Sequence, residues 1–183
     1  MQLLLLQLTG ATKLVTLQNL HSTRTWDDAA EKHVFRIWNR SSEDIVKTID
    51  VELSLEDPVK QIRSHVDNMI DMFFHGDNVL EAESYWLNLG AFVLLAYDKL
   101  DPNEVSRILA DKQRDYGPNN IARFAEKGLI LRLHDKVARL ENLLSGSSEA
   151  RNESIADTYL DIIGYSVIGL MWMNGEFFNP LKG

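Results

Sequence analysis

Three acidic residues stand on an otherwise apolar helix that the sequence predicts at about Asn152 to Asn174. Glu153, Asp157 and Asp161 follow one another at intervals of four residues, so they share one face of that helix. A helix that is apolar over most of its circumference is typically buried. Because unpaired carboxylates are costly to bury, we expect a cation to face them, either an Arg or Lys side chain or a divalent metal ion.

The predicted helix before it carries both acidic and basic side chains on one face. Four residues recur there at helical spacing, namely Arg132, Asp135, Lys136 and Arg139. If the two helices pack together, Asp135 approaches the acids of the last helix and the basic residues surround them. That arrangement suits a metal-bound polyphosphate, because Arg and Lys neutralise the phosphate charge that the metal leaves. The alternative is that Asp157 and Asp161 form ion pairs with the arginines of this face.

A third cluster lies where a short predicted helix ends, within residues 111–120. Gly117 and Pro118 end that helix, and Asn119 or Asn120 caps the next one. This structural account leaves four side chains at the same corner unexplained: Lys112, Arg114, Tyr116 and the second asparagine, taken as Asn120. A helix N-terminus beside a lysine and an aromatic ring suits a phosphate or a nucleobase.

The composition excludes several classes of protein. The chain has 183 residues, and its hydrophobic and charged fractions of 45% and 25% exclude wholesale disorder. Acidic residues outnumber basic ones by 27 to 19, and the net charge of -8 argues against direct nucleic-acid binding. Cysteine is absent, which excludes disulfides, a thiolate nucleophile and Cys-ligated metal centres. The sequence also lacks the Walker, GxGxxG, GxSxG and HExxH motifs.

No segment of the sequence predicts export or a membrane span. The apolar start, Met1–Leu8, lacks a basic flank and a cleavage site, so we interpret it as a buried strand. The apolar run Ile162–Met173 is too short to cross a bilayer. We therefore expect a cytoplasmic protein with no membrane partner.

The first part of the chain, residues 1–56, favours strands. Its short runs are rich in β-branched and aromatic residues. Val34–Trp38 and Ile45–Val51 predict a hairpin with a turn at Asn39–Ser42, and Lys13–Leu17 predicts a further strand. We expect this part to form a strand-rich N-terminal arm.

The second part, residues 57–183, has the apolar spacing of helices and predicts an α-helical domain. Asp57–Pro58 and Asp101–Pro102 each place a capping residue before a proline at the first helical position. The predicted helices span about residues 57–75, 80–100, 101–116, 119–144 and 152–174. The expected fold class is therefore mainly α, a bundle of about five helices with an N-terminal β-hairpin arm.

Three blocks of the second part, in their order and spacing, resemble the nucleotide-modification-associated domain family of phages and bacteria. They are Lys112–Gly117 with Asn120, Arg132–Leu140 and Glu153–Tyr165. That family is similar to the all-α NTP pyrophosphatases, the MazG and dimeric dUTPase-like group. Those enzymes use acidic pairs on two adjacent helices to hold Mg²⁺, which activates water against a nucleoside triphosphate and releases pyrophosphate. This chain departs from their pattern, with ExxxD in place of ExxD and Asp135 in place of two glutamates.

The resemblance implies a role for each cluster. The Mg²⁺ ligands would be Asp135, Glu153, Asp157 and Asp161. Of these, Asp135 and Asp157 would also be catalytic. The substrate-binding residues would be Lys112, Arg114, Tyr116, Asn120, Arg132, Lys136 and Arg139. The cations would hold phosphates, while Tyr116 and Asn120 would contact the base or sugar.

Three functions follow from these patterns. The first is a Mg²⁺-dependent (deoxy)nucleoside triphosphate pyrophosphohydrolase of nucleotide metabolism or modification. The second, suggested by the incomplete acidic pair, is a non-catalytic phage accessory protein that binds a nucleotide or a nucleotide-derived signal, in the cytoplasm of the bacterial host. The third is a structural or interaction module with buried ion pairs. The apolar helices also predict a homo-oligomer, since a small monomer does not easily bury them.

Overall fold

Helices account for the secondary structure of the described part of this protein. The computed structural model describes residues 25–43, 57–76, 82–146 and 154–183, and no strand occurs among them. The helices are α1 (Trp26–Glu43), α2 (Pro58–His75), α3 (Ala82–Ala96), α4 (Pro102–Tyr116), α5 (Asn119–Ala122), α6 (Ala125–Leu144) and α7 (Ile155–Met173). The expectation of a mainly α-helical fold is therefore confirmed.

The prediction of a strand at Val34–Trp38, the first strand of the hairpin, is wrong. Helix α1 runs through both Val34–Trp38 and the predicted turn at Asn39–Ser42. The side chains that α1 buries recur at helical spacing, and they include Trp26, Ala29, Ala30, Val34 and Ile37. Acidic residues in its first turn and Arg40 in its last also suit the helix dipole. The other predicted strands, Met1–Leu8, Lys13–Leu17 and Ile45–Val51, lie outside the described residues, and the division at residue 56 stays a prediction.

Capping begins α2 and α4 where the sequence predicts. The Asp57 carboxylate accepts a hydrogen bond from the backbone N–H of Val59 at 3.1 Å, and Asp101 accepts one from Asn103 at 2.9 Å. Each cap satisfies a backbone donor that the first turn of a helix leaves unpaired. Both prolines occupy the first helical position, where a missing N–H costs nothing.

The predicted fourth helix is broken into α5 and α6. Ala125 has a φ of 50°, in the left-handed region that a continuous right-handed helix does not contain. The Cβ of Phe124 packs closely over Gly128, where an added Cβ would lie only 2.7 Å from it. This turn separates α5 from α6, so that Ile121 enters the core while α6 continues along α7.

The core forms where α3 and α7 pack against each other. Gly169 of α7 lies against the indole of Trp86, and Gly90 of α3 lies against Ile37, where an added Cβ would come within 2.7 Å. These glycines let the helix axes approach closely. Around this pair, α6 packs on α7, α2 packs on α3 and α6, and α1 packs on α3, α4 and α7. The adjacency of α6 and α7 is the pairing that the sequence predicts for the charged clusters.

The segment after α7 folds back along the start of α1. The backbone N–H of Trp26 donates to the carbonyl of Pro180 at 2.8 Å, and the N–H of Lys182 donates to the Asp27 carboxylate at 2.8 Å. Phe177 is buried and packs against Trp172. In the part of the chain that the structure describes, no helix is both long enough and apolar enough to cross a membrane.

Candidate functional site

A pocket of about 450 Å³ lies among α4, α5, α6 and α7, with one residue of α1 in its wall. Its charged lining side chains are Lys112, Arg132, Lys136 and Asp161. Its apolar and aromatic wall includes Trp26, Ile108, Leu109, Ile121, Leu160, Tyr165 and Ile168. The pocket therefore has charged groups beside an apolar surface, which is the usual composition of a small-molecule site.

Asp161 joins three helices at the charged side of the pocket. One carboxylate oxygen accepts a hydrogen bond from the Lys112 ammonium on α4, and the other accepts one from the Lys136 ammonium on α6, each at 2.6 Å. Asp161 is 14% exposed and Lys112 is 45% exposed. The sequence prediction that a cation faces this acid is thus correct for Asp161, although the cations are lysines and not arginines.

Arg132 adds a third cation to the lining. Its Nη2 donates to the backbone carbonyl of Asn120 at 3.5 Å, which links α6 to α5. A guanidinium carries five N–H donors in a planar fork, and this bond uses one of them. The group is therefore suited to contact an anion while it holds the backbone of α5.

The corner at residues 112–120 supplies the polar rim. The carbonyl of Gln113 accepts a hydrogen bond from the N–H of Gly117, whose φ of 65° turns the chain at the end of α4. This turn brings Asn120 to the same pocket as Lys112 and Tyr116. Tyr116 is 69% exposed, so much of this residue is accessible to a ligand.

Two of the predicted substrate-binding arginines lie outside the pocket lining. Arg114 donates to the Asp27 carboxylate at 2.6 Å and to the carbonyl of Lys182 at 3.3 Å, so it fastens α4 to α1 and to the segment after α7. Burial raises the pKa of Asp27, but the hydrogen bonds from Lys182 and Arg114 outweigh it and hold that pKa below its usual value. Arg139 donates to the hydroxyl of Thr158.

The predicted metal ligands do not come together among the described residues. The Asp157 carboxylate accepts hydrogen bonds from the backbone N–H and the hydroxyl of Ser154, each at 2.8 Å, and completes a capping box at the start of α7. These bonds lower the pKa of Asp157. Asp135 is exposed and does not line the pocket, and Glu153 lies outside the described part of the chain.

The described residues of the pocket do not supply a set of ligands for a metal ion. Nowhere in residues 25–43, 57–76, 82–146 and 154–183 do three or more His, Asp or Glu side chains form a group that could hold one. The acid inside the pocket, Asp161, has both oxygens hydrogen-bonded to ammonium groups. A divalent ion there would have to displace two like-charged partners.

Trp26 is a pocket residue that the sequence does not reveal. Its indole is 1% exposed, as expected for a core tryptophan, yet it also lines the pocket. Its Nε1–H is buried and has no hydrogen-bond acceptor among the described residues. Trp86 has the same unpaired N–H but does not line the pocket. Trp26 lies far from the predicted clusters along the chain, so no local spacing could have indicated it.

Comparison with known proteins finds a similarity in part of the chain. Residues 112–173 match the family described as nucleotide modification associated domain 1. The matched segment contains all four charged lining residues of the pocket, whereas Trp26 lies outside it. No curated protein and no solved structure matches the chain. The similarity to NTP pyrophosphatases therefore stays a prediction.

Proposed function

We propose that the pocket binds a nucleotide, with the phosphate at Lys112, Arg132 and Lys136 and the nucleoside against the apolar wall. One observation carries the proposal: three cationic side chains converge on one pocket, inside the segment that matches the nucleotide modification associated domain. This is the second of the functions predicted from the sequence, a nucleotide-binding protein.

The local charge supports an anionic ligand. Lysine ammonium groups act as compact point charges for phosphate oxygens, and the planar fork of Arg132 suits bidentate contacts. Asp161 offsets only one of the three positive charges in the lining. The pocket is thus positively charged in a protein whose net charge is -8, so its field attracts a small anion to this place.

The remaining lining supports a nucleoside. Tyr116 and Tyr165 present aromatic surface on which a base can stack, and Gln113 and Asn120 carry amides that both donate and accept hydrogen bonds. A volume of about 450 Å³ falls within the range of small-molecule and cofactor sites.

Calorimetry with a broad nucleotide panel, including modified bases, tests the proposal. Lys136→Gln removes a pocket cation, and we expect binding to weaken at least about tenfold, because a hydrogen bond to a charged group contributes roughly 1.5–3 kcal/mol. Lys127→Gln is the matched control on the same helix, since Lys127 lies over the Phe74 ring and does not line the pocket. The proposal is wrong if no nucleotide binds to the folded wild-type protein, or if both variants bind equally.

Pyrophosphohydrolysis is the second candidate, favoured by Asp161 as the carboxylate that the structure places in the pocket lining. The Asp161 carboxylate could contact a metal ion or a water molecule for hydrolysis only after breaking one of its two hydrogen bonds to lysine. Pyrophosphate release from each dNTP, measured with and without Mg²⁺ in the wild type and in Asp161→Asn, tests it. Release that depends on Asp161 supports hydrolysis, and its absence with nucleotide still bound leaves the binding function alone.

A further inference from the structure

We infer that the ligand of this pocket is a nucleoside monophosphate, bound without a metal ion. The inference rests on the proposed nucleotide pocket and specifies how many phosphates it takes. It goes beyond the expected triphosphate and follows from the charges that line the pocket.

The charge of the lining matches one phosphate group. Three cations and one carboxylate leave a net charge of +2 on the described lining residues. A phosphate monoester carries roughly -1.5 to -2 at neutral pH. A triphosphate adds two more anionic groups, and the residues described at the pocket wall include no further cation to neutralise them.

A metal ion would be the usual way to neutralise the additional phosphates, but the described lining residues do not provide its ligands. Both oxygens of Asp161 already accept ammonium hydrogen bonds. The other described acids that the sequence assigns to a metal, Asp135 and Asp157, do not line the pocket. The site is therefore complementary to a dianion and not to a metal–triphosphate complex.

Asp161 has a positioning role in this arrangement. It holds one ammonium group on each of its oxygens, so that Lys112 and Lys136 lie side by side at the pocket wall. The carboxylate also offsets the repulsion between these two like charges. The lysines are thereby arranged for a single phosphate before the ligand enters, which lowers the entropic cost of binding.

Calorimetry with mono-, di- and triphosphates of the same nucleoside, in EDTA and in Mg²⁺, tests the inference. For the base that binds best, we expect the monophosphate to bind at least about tenfold more tightly than the triphosphate in EDTA, and Mg²⁺ to leave its affinity unchanged. Inorganic phosphate should bind more weakly, because it does not contact the apolar wall. Tighter triphosphate binding that requires Mg²⁺ overturns the inference but leaves the nucleotide pocket intact. Equal binding of inorganic phosphate also overturns it, whereas no binding by any nucleotide refutes the proposed function itself.

Asp161→Asn tests the positioning role through selectivity. Loss of the carboxylate raises the net charge of the lining to about +3 and releases the two lysines, so the preference for monophosphate over triphosphate should fall at least about fivefold. The matched control is Asp111→Asn, which alters an exposed acid on α4 that pairs with Arg107. A merely structural Asp161 would weaken all nucleotides equally, and an unchanged ratio of the two dissociation constants would contradict the inference.

Discussion

Asp161 and Glu176 each hold two basic side chains, and the surroundings of these two carboxylates differ. Asp161 joins two lysines at the wall of the pocket. Glu176, just after α7, accepts hydrogen bonds from Lys32 and from Nε2 of His33, the latter at 2.6 Å. We call the second group the Glu176 cluster.

The Glu176 cluster is closed, in the sense that its histidine has no contact with solvent. His33 is fully buried, and the guanidinium of Arg36 donates to its Nδ1 at 3.2 Å. Because a guanidinium cannot accept a hydrogen bond, Nδ1 carries no proton and Nε2–H donates to Glu176. The ring is therefore neutral, and the cluster fastens α1 to the segment after α7.

Asp161 and its two lysines at the pocket have the same kind of pairing but different surroundings. Arg132 adds a cation that Asp161 does not offset, and Lys112 is about half exposed. The two clusters therefore share their ion pairing. They differ in the third cation and in the cavity that lies beside Asp161, and these are the features on which the proposed nucleotide binding rests.

The largest effect we expect concerns the pH dependence of the closed cluster. Burial lowers the pKa of His33 from 6.5 to about 4, despite the hydrogen bond to Glu176 that raises it. Between these pH values the unfolded chain binds a proton that the folded protein does not. The contribution of His33 to the free energy of unfolding should therefore fall by about 3 kcal/mol as the pH decreases from above 6.5 to 4.

Urea unfolding at several pH values measures this effect against His33→Gln. The glutamine cannot titrate, so its stability should decrease less over the same range. His65 also has a pKa lowered by burial and remains in both proteins, so it cancels in the comparison. Parallel curves for the two proteins would show that His33 is charged when folded and that the cluster is not closed.

Trp26→Phe sharpens the comparison, because Trp26 lies on the helix of the closed cluster but lines the pocket. We expect nucleotide binding to weaken about fivefold, since the lost N–H is a buried donor that the ligand can pair. The matched control is Trp86→Phe, which removes the same atoms from the core and should leave the dissociation constant unchanged. Equal affinities for the two variants would exclude Trp26 from ligand recognition.

The smallest effect we expect concerns stability, and it distinguishes Asp157 from Asp161, which lies one helical turn further along α7. Asp157→Ala removes the capping box of α7 and should lower the free energy of unfolding by about 1 kcal/mol. Its nucleotide affinity and its preference for monophosphate should match those of the wild type, unlike the preference of Asp161→Asn. If Asp157→Ala instead abolishes binding or turnover while the protein stays folded, Asp157 has the catalytic role that the sequence predicts.

Local signals explain why much of the helical body could be predicted. Asp57–Pro58 and Asp101–Pro102 begin helices through contacts within four residues, which sequence spacing records directly. The sequence predicts a strand within helix α1, because a run as short as Val34–Trp38 does not distinguish the alternation of a strand from the spacing of a helix. The break at Ala125, whose φ is 50°, is not predicted, because the apolar spacing of residues 119–144 is compatible with one continuous helix.

Helical spacing in the sequence predicts which side chains share a face of a helix, and part of the pocket lining follows from that. Five of the predicted substrate-binding residues line the pocket: Lys112, Tyr116, Asn120, Arg132 and Lys136. Arg114 and Arg139 belong to the same helices, but their rotation and partners direct them to Asp27 and Thr158. Spacing identifies a face, whereas tertiary packing decides which members of that face reach a cavity.

The position of Trp26 gives the protein an internal optical reporter. Its indole is shielded from water and forms part of the pocket wall, while Trp38, Trp86 and Trp172 lie elsewhere. A base that enters the pocket changes the surroundings of one emitter in four, so occupancy can be followed by intrinsic fluorescence without a label.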